Sequence, residues 1–242
     1  MGAALGWGSL AAASLVLGVG LAFARRWPPA QVGLVLSFGA GALISAVSFE
    51  LTQEAIAIGD TGVVGIGLAL GALTYFVSDG LIASRTASGR GMPGRKEGSG
   101  PGPALALGAF LDGVPEQLVL GIGVAAGDGV SAALHVAIFV SNLPEAIGSA
   151  SAMESAGTAR STILRLWIAV AVVCALASVV GFAIADAASS NLQAAIQGFA
   201  AGALLVMLID SMIPEAVRSF GRTAGLVTTL GFALAAALSS VS

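Results

Sequence analysis

The chain has 242 residues, of which 57% are hydrophobic and only 10% charged, and its mean hydropathy is +0.96. A soluble domain carries roughly 25% charged residues, so the composition excludes one and describes an integral membrane protein. The apolar runs are continuous rather than alternating, which favours helices over a β-barrel; the net charge is −3, and the one cysteine, Cys174, cannot form an intrachain disulfide.

A membrane helix takes about 20 apolar residues. Eight such segments are predicted, at 5–24, 31–53, 62–84, 104–126, 131–153, 162–185, 191–214 and 223–241, within one transmembrane domain spanning 1–242. The first is not read as a cleaved signal, because no basic residue precedes it and Arg25 and Arg26 follow it. All ten basic residues fall in alternate connections: Arg25 and Arg26; Arg85, Arg90, Arg95 and Lys96; Arg160 and Arg165; Arg218 and Arg222. Positive charge stays on the cytoplasmic side. Both termini are therefore expected to be extracytoplasmic, in a multi-pass protein of the plasma (inner) membrane. The longest connection, "RTASGRGMPGRKEGSGPGP" at 85–103, is rich in Gly, Pro and Ser and reads as a flexible cytoplasmic loop.

A weak internal repeat aligns "FGAGALISAVSFELTQEA" (38–55) with "FAAGALLVMLIDSMIPEA" (199–216), an offset of 161 residues. The two segments run in opposite directions in this topology. The expected fold is thus all-α, with eight transmembrane helices in a 3+2+3 arrangement: two three-helix groups as inverted copies around a central pair. Inverted repeats of this kind are a transporter signature.

The central pair carries the chemistry. "DGVPEQ" (112–117) and "SNLPEA" (141–146) each place Pro beside Glu inside an apolar run. Glu50, Asp112, Glu116, Glu145 and Asp210 all lie within spans, and no Lys or Arg is available there to pair with them. A charged group at that depth costs at least about 2.5–3.5 kcal/mol. The acids must therefore be protonated, hydrated, or neutralised from outside, as a metal cation does. At about 1.5 Å per residue, Glu116 stands roughly 18 Å along its helix. Asp112 lies one turn away on the same face. Ser141, Asn142 and Glu145 reach a comparable level in the next segment, and Asp210 in the seventh. Pro115 and Pro144 cannot donate to the carbonyls of Leu111 and Val140, so each leaves an acceptor beside its Glu. Glu50 is read equally as a ligand or as a protonated group bonded to backbone. Asp79, near Arg85, reads as a headgroup-level residue, and His135 as an interfacial one.

These residues resemble a known family. "DGVPEQ" and "SNLPEA" look like the paired His-Asn-x-Pro-Glu-Gly motifs of ZIP metal transporters, and "IDSMIPEA" (209–216) looks like the acidic stretch of their seventh helix. The resemblance covers almost the whole chain and implies a midplane metal site, homodimers, and sliding of one helix bundle against the other. It assigns Asp112, Glu116, Ser141, Asn142, Glu145 and Asp210 as metal ligands, with Gly113 at the family's Asn position. Both motif histidines are absent. Oxygen donors suit harder ions such as manganese, with iron(II) borderline, although carboxylates also bind zinc.

The expected function is transport of divalent cations of the zinc, manganese and iron class into the cytoplasm, with the cation as substrate. No organic cofactor, enzymatic activity or nucleic-acid partner is expected; the lipid bilayer and a second copy of the chain are. The alternatives are a proton-linked carrier for a non-metal solute and a metal sensor that does not transport.

Overall fold

Lipid offers no hydrogen-bond partner to a peptide group, so an apolar chain in a membrane satisfies its backbone internally. The computed structural model of the protein is accordingly helical, with no strand among the described residues, which are 1–87, 102–126, 132–185 and 189–240. Most of the predicted loop at 85–103 lies outside them.

Helix α1 (Gly2–Ala24) ends at Arg25, whose backbone turns extended, and Pro29 opens the next helix with its φ already set. Trp27 bridges this turn: its indole N–H donates to the Leu21 carbonyl at 3.0 Å, and the Arg25 guanidinium lies 4.0 Å from its ring centre. The second helical run has three parts, α2 (Pro29–Ser45), a π-helical segment π1 (Ala46–Gln53) and α3 (Glu54–Ile58). Asp60 caps α4 (Thr61–Ala87), its carboxylate accepting from the Gly62 N–H at 2.8 Å and the Val63 N–H at 3.3 Å. Helices α5 (Gly102–Ala126) and α6 (Ala132–Ser155) follow, each running unbroken through an internal proline. Gly157, at φ 82°, makes the turn into α7 (Arg160–Ala185). Ser189 caps α8 (Ser190–Met207), which continues through π2 (Leu208–Met212) into α9 (Ile213–Phe220). Gly221, at φ 73°, ends that run, and α10 (Ala224–Ser239) closes the described chain.

Among the described residues, five helical stretches are long and apolar enough to cross a membrane: Gly2–Ala24, Pro29–Ile58, Thr61–Leu81, Arg160–Ala185 and Ser190–Ser239. The protein is therefore an all-α, multi-pass membrane protein. The predicted segments 31–53 and 191–214 lie within longer helical runs that continue to Ile58 and Phe220, with Glu54 and Glu215 inside the helix.

Packing divides the helices into two groups. Helix α1 lies against α6 and α7, and α5 lies against α7. Trp167, Leu15, Val19, Ile147 and Met153 are buried in that group. In the other, α2 pairs with α10 and α4 with α8. Helix α6 joins α2, and α5 joins α8, across the divide.

The tightest pairings are made by backbone against backbone, which only glycine permits. A side chain at Gly41 of α2 would strike the Thr228 carbonyl of α10, and one at Gly231 of α10 the Phe38 carbonyl of α2. Likewise Gly202 of α8 meets the Leu68 carbonyl of α4, and Gly71 of α4 meets the Phe199 carbonyl of α8.

Contacts between distant turns sort the helix ends. The Arg160 guanidinium lies 5.1 Å from the Phe23 ring centre, joining the start of α7 to the end of α1. Gly33, early in α2, packs on Ser219 and Phe220 at the end of α9. Arg25, Arg160 and Arg218 thus gather at one end of the bundle. At the other end Trp7 and His135 pack with tilted rings, their centres 4.7 Å apart, and the Asp60 N–H donates to Asn191 Oδ1 at 3.0 Å.

Candidate functional site

The two mid-helix Pro-Glu pairs lie on α5 and α6, which pack against each other. Glu116 is 2% exposed, and neither of its carboxylate oxygens has a hydrogen-bond partner among the described residues. Glu145, half-buried on α6, lies close enough for its charge to act on Glu116. Asn142 is buried one turn before Glu145, on the adjoining face of the same helix. The two carboxylates are thus neighbours across α5 and α6, with a buried amide one turn from Glu145. The two ion pairs among the described residues, Glu154–Arg160 and Glu215–Arg218, are both elsewhere, at the basic end.

Asp112 and Ser141 fall within α5 and α6, but their side chains lie outside what the structure describes. Asp210 is exposed on π2, whose main packing partners are α2, α8 and α9. Among the described residues, no group of three or more His, Cys, Asp and Glu side chains converges. The described part of the site is therefore the Glu116–Glu145 pair with Asn142.

The surrounding helices set where these groups sit. A side chain at Gly18 of α1 would lie 2.7 Å from the Leu143 carbonyl and 2.7 Å from the Ala146 Cβ. Helix α1 therefore presses directly on the Pro144–Glu145 stretch of α6. At Gly113 a side chain would lie 2.7 Å from Cys174 Sγ, so this position faces α7. Its neighbour one turn on, Gln117, is 1% exposed and was not among the residues singled out from sequence. Its Oε1 is buried without a hydrogen-bond partner among the described residues, near Gly8 of α1 and Ser178 of α7. The available signal was a second polar residue directly after Glu116 in an apolar run.

Chemically, an acid pair with one member buried and no basic neighbour among the described residues can hold a cation between its oxygens or share a proton. Both states relieve the repulsion of like charges in a medium of low dielectric constant. No family model and no curated protein matches the chain.

Proposed function

We propose that the chain is a ZIP-like carrier that moves divalent cations of the zinc, manganese and iron(II) class into the cytoplasm through a carboxylate site on α5 and α6. The observation that carries this reading is Glu116, buried in an apolar bundle with both carboxylate oxygens unpartnered among the described residues, with the half-buried Glu145 near it and no described cationic side chain beside the pair. A stable fold without a task for such a pair would replace it by apolar residues. On this reading Glu116 and Glu145 bind the cation, and Asn142, Asp112 and Ser141 complete its shell with water. Asp210 stands on the cytoplasmic exit path.

The proposed topology has eight crossings, termini outside, and helices 1–3 and 6–8 as inverted copies around α5 and α6. The glycine contacts support the repeat. Gly41 and Gly202 are separated by the offset of 161 residues, as are the Phe38 and Phe199 carbonyls that meet Gly231 and Gly71. The gathering of Arg25, Arg160 and Arg218 at one end supports a cytoplasmic assignment for that end. Homodimers in the plasma (inner) membrane belong to the same proposal.

Uptake into proteoliposomes tests it. Purified protein is expected to admit at least one of manganese(II), iron(II) or zinc, and the Glu116→Ala variant to admit none. Metal bound without uptake would indicate a sensor. Proton flux indifferent to metal identity would indicate a proton-linked carrier of another solute.

A further inference from the structure

The π segments lie outside the Glu116, Glu145 and Asn142 group, although π2 carries Asp210, and they are placed as a pair. A π-helix is rare and marks a point where one residue too many has been fitted into the ladder, often at a functional position. Among the described residues there are two, π1 (Ala46–Gln53) and π2 (Leu208–Met212). Shifted by the repeat offset of 161, π2 falls on 47–51, inside π1. In π1 the Thr52 hydroxyl donates to the Val47 carbonyl, five residues back, at 2.7 Å. It thereby reinforces the wider spacing. Sharp bends in helices are found at such segments.

Each π segment carries a short arm, and the arms make equivalent contacts. Beyond π1, the end of α3 sets Gly59 against Ala194 of α8, with the Asp60 N–H bonded to Asn191. Beyond π2, the end of α9 sets Phe220 and Ser219 against Gly33 of α2. Residues 59 and 220, and residues 33 and 194, are each 161 apart. The far end of each run is thus clasped to the near end of the other, once at each end of the bundle. Between clasp and π segment the buried positions are the alanines Ala55 of α3 and Ala216 of α9. Before the π segments, by contrast, the helices are pinned by the glycine–carbonyl contacts at 41 and 202.

We propose that π1 and π2 are a matched pair of hinges, and that α3 and α9 are the gates they carry, one at each membrane face, opening in alternation. The inference rests on the transport reading only for the need to alternate; the hinge motion is measurable without any cation. Because the two runs are clasped to one another, swinging α3 onto α8 at the outer face tilts the start of α8 and so loosens α9 at the inner face.

The test uses the full-length chain with Cys174→Ser, carrying Asp60→Cys and Asn191→Cys as an outer clasp lock and Ser219→Cys as an inner reporter. Thiol modification at residue 219 is read by peptide mass spectrometry with the lock oxidised and reduced. Oxidation is expected to raise the rate at residue 219 by about fivefold or more, the lower range of ordinary coupling between sites. An unchanged rate with a formed disulfide overturns the proposal. Hydrogen exchange of the unmodified protein gives a second reading that needs no variant. Amides of 46–51 and 208–212 are expected to exchange about tenfold faster than those of 39–45 and 200–206, and equal protection overturns the hinges. Failure of the transport reading shows separately, as absence of cation uptake by unmodified protein.

Discussion

The chain contains the Pro-Glu dipeptide three times, and the three are not alike. Pro115-Glu116 and Pro144-Glu145 stand in the middle of α5 and α6. Pro214-Glu215 stands in the first turn of α9, directly after π2. Glu215 is bound by the Arg218 guanidinium and accepts from the Ser219 hydroxyl at 2.9 Å, at the basic end of the bundle. Glu116 has neither, and is 2% exposed. The dipeptide is therefore not itself the mark of a site. What distinguishes the central copy at Glu116 is a buried acid with no hydrogen-bond or ion-pair partner among the described residues. Glu215 is a solved problem on a helix surface; Glu116 is one left open to something from outside the chain.

The largest test of that contrast is substitution of the acids themselves. Glu116→Ala or Glu145→Ala is expected to abolish cation uptake, exceeding the 10–100-fold losses (roughly) that follow removal of mere supporting groups around a metal. Glu215→Ala is expected to leave uptake within about twofold, since an exposed ion pair is worth about 0–1 kcal/mol. Equal losses at all three positions would erase the distinction.

A second test sharpens the chemistry of the central copies. The double variant Asp112→His, Ser141→His is expected to shift competition toward zinc and away from manganese by about tenfold, because imidazole is the softer donor. Unchanged preference would mean that donor softness does not set selectivity here.

A smaller effect is expected from the packing behind Glu145. Gly18→Val would push against the Leu143 carbonyl and Ala146, an overpacking that costs about 1–3 kcal/mol. Half-saturation for the cation is expected to rise as Glu145 moves, with Glu116 unaltered. A drop in thermal stability alone, with half-saturation unchanged, would show that α6 is not positioned from α1. The smallest effect belongs to Arg218→Leu, which should lower stability by about 0.3–0.5 kcal/mol and leave transport intact.

These contrasts were legible in the sequence to different degrees. Long apolar runs announce helices because the bilayer leaves the backbone no alternative, and Glu116 and Glu145 stood out against that background without any structure. The difference between Glu116 and Glu215 depends on which helix end the arginines occupy, and Arg218, three residues after Glu215, hinted at it. The π segments had no such signal. "AVSFELTQ" and "LIDSM" share little composition, and a widened ladder arises from how neighbouring helices hold the run, not from local propensity. Gln117 was hidden for the same reason: its burial follows from the approach of α1 and α7 around Gly8 and Ser178, which no periodicity along α5 encodes.

The reciprocal glycine contacts have a consequence for how the protein is made. Helix α2 is fitted to α10, and α4 to α8, so the second and third runs to leave the ribosome are matched to the last and next-to-last runs. Synthesis proceeds at about 5–20 residues per second, and over that interval the faces of Gly41 and Gly71 must wait in the bilayer uncovered. Lipid tails fill a groove floored by backbone poorly, so each face stays poorly packed until its partner helix arrives. A ribosome stalled before α8 would present the nascent chain in that waiting state, open to capture by whatever shields it.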